Sequence, residues 1–487
     1  MRELKPIFME RVEPGRWPVL RSLFDRIRPI FFTLAVGLIA GWQIYNPSKR
    51  VIEAIVGLVL VFLLWQYSTL SALWMLLLIY PFPFAIAVGT STLIFTVIIF
   101  IIYLIRVSAG LDKIHAAGSF NLPIILFSIA LIISFYNFKP SPYASRYAFS
   151  LATNYFGSII LFLMVINFID DEAKLRKTVK VAMTTLGLIV FFTLYEMLFP
   201  GKVLVPGWLA THHREQLIMK GIRLAGPFRD FELLAEFFAM NIPIVFYMFI
   251  RSKRLATRSL YALLLVGTLF MLFATVTRGA FISLTIAVIY MAFLCRKDLS
   301  FVRIVSITAT IILVVVVLEG FVARYTISGS MFQRLSQTTL ERGVIPDTRI
   351  LSWGYAVERA MEHPIIGHSP GWDFSKKLER EMYPHSGYLF ILNITGFFGL
   401  LSFIYLLFRL VKTSMISIKE SLIHSSFPAG LLKILHVSLT IFIIDQIKIE
   451  YLRNDIYGYF VLFFFGLIAA TNVIIRKQKG EQGSPVP

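Results

Sequence analysis

The 487-residue chain is short of charge, of cysteine and of acidic side chains, and each shortage excludes something. Charged residues make up 15% of it, against roughly 25% in soluble domains. A globule in water needs polar cover, so so apolar a chain points to lipid as its solvent. Cys295 is the single cysteine, which rules out an internal disulfide. Asp and Glu number 28 against 47 Lys and Arg, for a net charge of +19. In a soluble protein that excess would suggest nucleic acid. In a membrane protein it reports topology, because Lys and Arg gather in cytoplasmic loops. The sequence also holds no Walker loop, dinucleotide fingerprint or nucleophile elbow. No His, Asp and Glu set has metal-ligand spacing. Neither a metal, a cofactor nor a nucleic-acid partner is therefore expected. No cleavable signal peptide is evident either: residues 1–28 are basic, without a compact apolar region.

What is present is apolar length. Hydrophobic residues make up 57% of the chain, and a membrane span needs about 20 of them in a row. Spans are expected near 29–45, 51–66, 69–88, 91–106, 121–137, 147–169, 179–199, 231–250, 259–276, 279–295, 301–320, 386–408, 433–449 and 456–475. The expected fold is thus an all-α polytopic membrane protein with about fourteen spans (range about 12–14). With the N-terminus inside, the inner segments hold 27 Lys and Arg, while the short outer loops hold 7. That contrast puts both ends in the cytoplasm. The organisation expected is a basic cytoplasmic segment (1–28), an N-terminal bundle of about seven helices (29–199), a first long outer loop (200–230), core spans (231–320), a large outer loop (321–385), C-terminal spans (386–475) and a cytoplasmic tail (476–487). No internal repeat is visible, which argues against an inverted-repeat transporter.

The two long outer loops are where chemistry is expected, since loops of this size are usually functional. The second contains a helix signal. Asp347 or Thr348 can cap it, Pro364 can end it, and Ile350, Leu351, Tyr355, Ala356, Val357 and Ala360 form an apolar face. The loops are basic where topology alone would not make them so, and Arg223, Arg229 and Arg349 are among their cations. Arginine offers a planar fork of donors to phosphate oxygens, so an anionic ligand is expected. Charges at membrane depth are costly and by default functional candidates. Arg278 sits in an almost loop-free outer turn beside Gly279. Glu232 and Glu236 share a helix face, able to pair with an arginine or orient a reacting group. Glu196 and Asp445 are expected to be buried, binding a proton or an arginine. Among the eight histidines, His385 opens the helix after the large loop. Its ring titrates near neutrality and can take a proton from a hydroxyl. His212, His213, His363 and His368 are alternatives.

Four short motifs, taken in order, resemble the O-antigen ligase and O-antigen polymerase superfamily. His385-Ser386, nine residues, then Gly396-Phe397-Phe398-Gly399 is similar to its His-Asn/Ser/Gln…Gly-x-x-Gly signature. Arg223-Leu224-Ala225-Gly226-Pro227-Phe228 is similar to its Arg-x-x-Gly-x-Phe segment, and Thr277-Arg278-Gly279-Ala280 to its Ser/Thr-Arg-Gly-Ala turn. Arg349…Trp353…His363-Pro364-Ile365-Ile366-Gly367 is similar to its loop helix and the turn after it. The motifs cover residues 200–410. Members often have about twelve spans, and Ser386 and His368 depart from the commoner residues at their positions.

The resemblance implies a bacterial inner-membrane glycosyltransferase. It would move a glycan from a polyprenyl diphosphate to an acceptor hydroxyl, on lipid A core, on a lipid-linked repeat or on another glycan. Neither nucleotide sugar nor metal would be used, and inversion at the anomeric carbon is expected. Arg223 and Arg278 would hold the diphosphate, His385 would act as general base, and the loop 321–384 would cover the site. Arg229, Arg349, Glu232 and Glu236 would bind diphosphate or acceptor. Other polysaccharide-assembly membrane proteins are conceivable partners. Two different classes compete with this reading: a flippase or transporter of lipid-linked oligosaccharide, with charges along a central cavity, and a non-enzymatic membrane scaffold.

Overall fold

The computed structural model describes residues 69–82, 85–86, 89–110, 112–114, 120–140, 142–199, 224–228, 230–295, 320, 347–370, 384–420 and 426–483. The chain divides into Met1–Ala72 and Leu73–Pro487, and the account below concerns the second unit. Its helices are α1 (Thr69–Ile79, which begins just before it), α2 (Ser91–Ser108), α3 (Asn121–Ser134), α4 (Pro142–Phe168), α5 (Glu172–Leu198), α6 (Phe231–Arg251), α7 (Leu255–Ala274), α8 (Arg278–Cys295), α9 (Asp347–Ala360), α10 (Gly387–Glu420), α11 (Phe427–Asp445) and α12 (Asp455–Gly483). Between α1 and α2 lies a small hairpin of β1 (Ala85–Ile86) and β2 (Gly89–Thr90), paired antiparallel.

Among the described residues, seven helices are long and apolar enough to cross a membrane, and four shorter helices are apolar as well. The protein is an integral membrane protein. Three expected spans (29–45, 51–66 and 301–320) lie outside the described residues. The expected span at 69–88 is shorter, since its helix stops at Ile79 and the hairpin follows. The span expected at 433–449 is displaced and runs over Phe427–Asp445. Its start is set by Ser426, whose hydroxyl accepts from the Ala429 amide, followed by Pro428 in the first turn.

Lipid as solvent inverts the usual reading of exposure. Leu263 of α7 is 71% exposed and Ile289 of α8 is 66% exposed, as expected of faces turned to acyl chains. The interior is tied by polar contacts and small residues instead. Trp74 donates to Thr178 Oγ1 at 2.9 Å, Tyr247 to the Phe427 carbonyl at 2.9 Å, and Ser438 to the Met240 carbonyl at 2.7 Å. α6 and α12 are the most buried spans. α12 packs on α4, and α6 packs on α7 and α11.

Two expectations are corrected. The span expected at 386–408 as one helix is broken: Gly396 has φ 67° and ψ −170°, outside the helical region. The rings of Tyr388 and Phe403 lie 6.3 Å apart, whereas an unbroken helix would separate these positions by about 22 Å. The first arm, 387–395, therefore folds back beside the second. The second arm, 397–420, is about 36 Å long by itself, enough to span. The helix at 347–360 is as expected, but its packed face agrees only at Ala356 and Ala360. Ser352, Ala356 and Ala360 are buried against α10, while Ile350, Leu351, Tyr355 and Val357 are exposed. Small residues allow the close approach to α10, so the packed face follows size rather than apolarity.

The break in α10 is filled by backbone. The amides of His368 and Ser369 donate to the carbonyls of Asn393 and Ile394 at 2.8 and 3.1 Å. Across the break, the amides of Phe397 and Phe398 donate to the carbonyls of Pro364 and Ile365 at 2.7 and 3.2 Å. The chain ends freed by the kink are thereby satisfied, as nonhelical backbone in such a protein must be. The two backbones approach so closely that a Cβ on Gly396 would sit 2.3 Å from the Ile365 carbonyl oxygen, and one on Gly367 2.5 Å from Ile394. Both glycines also have positive φ. Two sequence motifs thus form one joint.

Candidate functional site

α6, α8 and α12 begin around the turn that follows α11, and so does the first arm of α10. This follows from the contacts each makes with that turn. The turn, 445–450, connects them. Gly387 donates its amide to the Gln446 and Ile449 carbonyls at 2.8 and 3.0 Å. The Gln446 side chain donates to Glu236 Oε1 at 3.3 Å and accepts from the Tyr451 amide at 3.2 Å. Lys448 lies across the first turn of α8, where a Cβ on Gly279 would fall 2.1 Å from its Nζ. Its ammonium pairs with the fully buried Asp445 at 2.6 Å.

The turn before α8 is held by Thr277, whose hydroxyl reaches the Phe231 and Thr275 carbonyls at 3.4 and 3.3 Å. This ties the start of α8 to the start of α6. Asp230 caps α6 by accepting from the Glu232 and Leu233 amides at 2.9 and 3.2 Å. Arg278 is the first residue of α8 and is half-buried. His385, also half-buried, precedes the first arm of α10. Ser386 caps that arm, with its hydroxyl 3.5 Å from the Leu389 amide.

Backbone strain marks both places. Val276 and His385 have φ of 51° and 43°, and Ser369 at the α10 joint has φ 93°. A β-branched valine in the left-handed region is a genuine outlier, and each such residue costs on the order of 1–3 kcal/mol. So Arg278 and His385 each sit on or beside backbone that only the surrounding structure can hold.

The remaining expected residues are distributed as follows. Arg349 of α9 donates to Glu232 Oε1 at 3.0 Å, so these two are brought together. Glu236 is buried beside Gln446, one turn further along α6. Arg223 and Arg229 lie outside the described residues, as do His212 and His213. The Gly226–Phe228 turn between the two arginines is described, and Asn454 donates to the Phe228 carbonyl at 2.6 Å. Glu196 accepts from the Gly226 amide at 2.9 Å and anchors this turn. His368 is buried in the α10 joint and donates from Nε2 to the Arg359 carbonyl at 2.7 Å. Burial pushes its imidazole below the usual histidine range, against the opposing effect of that carbonyl.

Sequence reasoning missed Lys448 and Gln446. Lys448 falls at the end of the span expected at 433–449 and was passed over there. A helix ending in Asp445 with a lysine three residues later was the available signal. The 445–450 turn thus brings Lys448 and the buried carboxylates of Asp445 and Glu236 beside the helix starts that carry Arg278 and follow His385, and helix N-termini of this kind favour anions.

Residues 262–404 match a family model described as O-antigen ligase. The matched stretch runs from within α7 to within α10, and so takes in Arg278, α9, His385 and the Gly396-to-Gly399 segment. A search of curated proteins gives no match.

Proposed function

We propose that this integral membrane protein, which carries an O-antigen ligase segment, transfers a glycan from a polyprenyl diphosphate to an acceptor hydroxyl in the assembly of O-antigen or a related envelope polysaccharide. The family match supports glycan transfer. The single observation that carries the finer reading is the convergence of the Thr277–Gly279 turn and the 384–387 segment on one turn, 445–450.

In this reading the acceptor oxygen bonds to the anomeric carbon while that carbon's bond to the diphosphate oxygen breaks. The electron pair departs with polyprenyl diphosphate, and the hydroxyl proton passes to His385. Such a one-step displacement inverts the anomeric centre. Arg278, together with Arg223, stabilises the charge that develops on the leaving diphosphate. Arg229, Arg349, Glu232 and Glu236 are assigned to binding diphosphate or acceptor; the Arg349–Glu232 pair would orient the α9 side of the site. Strained backbone at His385 and Val276 suits side chains that must be pre-positioned. The proposal keeps about fourteen spans (range about 12–14), cytoplasmic termini, an inner-membrane location and the domain organisation given above.

Reconstitution in vesicles with a polyprenyl-diphosphate glycan and candidate acceptors tests it. Acceptor glycosylation should be coupled to release of polyprenyl diphosphate. His385→Ala should lower the rate by about 10²–10⁴-fold, the usual range for a general base, and Arg278→Ala by a comparable factor. Unchanged release in both variants would overturn the site assignment. Transbilayer movement of intact lipid-linked glycan, with no transfer, would favour a flippase instead.

A further inference from the structure

We propose that Lys448 is a further cation of the diphosphate site, positioned by Asp445 and admitted to its place by Gly279. The inference rests on the functional reading above and adds a residue to it. Asp445 ends α11 with its side chain fully buried, while the Lys448 side chain keeps 21% of its exposure. Their 2.6 Å contact fixes the ammonium from the protein side and leaves its other donors to point elsewhere. The stem is fixed too. Cδ, Cε and Nζ of Lys448 all come within 2.5 Å of where a Cβ at position 279 would stand. Any side chain there would push the lysine away from α8. The ammonium is thereby held beside the residue that follows Arg278 in the chain.

Charges of both signs surround the ammonium here. The start of α8 is the positive end of a helix dipole, and Arg278 adds a full charge. Asp445 offsets part of that and Glu236 a further part, but a buried ion pair gains little net stability because desolvation cancels much of the attraction. What the pair does achieve is a defined position for Lys448. A diphosphate entering between Arg278 and Lys448 would meet a bidentate fork on one side and a point charge on the other.

The test uses the full-length protein in lipid nanodiscs, with glycan-free polyprenyl diphosphate as the probe for binding and the lipid-linked glycan for steady-state rates. Lys448→Met should weaken polyprenyl diphosphate binding about ten- to a hundredfold, the loss of one charge-assisted contact, and raise KM for the donor. Lys448→Arg should restore binding to within a few fold. Because Lys448→Met strands a buried carboxylate, the charge-neutral pair Asp445→Asn with Lys448→Met keeps the test valid if the single variant does not fold. The pair should show the same weakened binding. Gly279→Ala should weaken it as well by displacing the lysine. If the wild type binds and the folded double variant binds equally well, the role of Lys448 is overturned while the functional reading stands. If the wild type itself neither binds polyprenyl diphosphate nor transfers glycan, both fall together.

Discussion

The joint at Gly396 and the turn at Asp445–Lys448 hold the same helix bundle together by opposite means. The joint is made of backbone: four main-chain hydrogen bonds link 364–369 to the broken α10, and glycines let the strands of chain touch. The turn is made of side chains, with Lys448, Asp445, Gln446 and Glu236 in contact across α8, α10, α11 and α6. Backbone joints tolerate almost no change at the glycines and are indifferent to charge. Side-chain clusters tolerate change in shape but respond to charge. The first sets where His385 stands, by folding the arm of α10 back to the turn. The second sets what stands around it.

The largest effect should come from breaking the joint. Gly396→Ala places a Cβ 2.3 Å from the Ile365 carbonyl oxygen and forces alanine into a backbone region that is essentially glycine-only. A loss of more than about 3 kcal/mol of stability is expected, from backbone strain and displacement of the 364–367 segment together. Gly354→Ala in α9 is the contrast, because its Cβ would meet nothing within 4 Å. Thermal melts in detergent read both. Equal stability of the two variants would show that the joint is not built on backbone contact.

These two regions were not equally legible in the sequence. The joint was visible as two motifs, His363-to-Gly367 and Gly396-to-Gly399, although nothing in the spacing said that they meet. Glycines mark a constraint without naming the partner. The loop helix starting at Asp347 was legible because capping is local. The packed face of α9 was legible only at Ala356 and Ala360. Apolar periodicity reports which residues leave water, whereas α10 receives Ser352, Ala356 and Ala360, which are small. Arg278, His385, Glu232, Glu236 and Arg349 were legible as polar groups at membrane depth or in a basic loop. Their surroundings were not, because the turn that holds Glu236 and the chain next to Arg278 and His385 lies about 60–220 residues away in the chain, and loop closure over such lengths leaves no local trace.

A smaller effect tests whether the joint really is indifferent to charge. Its exception is His368, buried with its imidazole pushed below the usual value. The unfolded chain, titrating near 6.5, then binds a proton more readily than the folded protein. Stability is therefore full above that pH and is lost as pH falls below it. Between pH 7 and pH 5 the wild-type Tm should drop by about 2–4 °C more than that of His368→Gln. The comparison of slopes, rather than of Tm values, removes the cost of losing the Arg359 contact. Parallel slopes would mean that His368 stays neutral in both states or is protonated in both, and the joint would then be insensitive to pH as well as to ionic strength.

The smallest effect belongs to the rim of the side-chain cluster. Arg349 and Glu232 meet through one 3.0 Å contact, with side chains 28% and 17% exposed. Partly exposed pairs of this kind contribute roughly 1 kcal/mol or less, so Arg349→Ala should hardly move the melting temperature. Its effect on turnover should be larger than on stability if the pair orients α9 over the site. Glu232→Gln keeps the shape and one acceptor, and should retain most of the rate. A double-mutant cycle between the two positions separates their coupling from other roles of each residue. Coupling in the rate without coupling in stability would assign the pair to positioning. Coupling of equal size in both would make it an ordinary strut, and the distinction between a backbone that places and side chains that act would have to be drawn closer to Lys448 and Asp445.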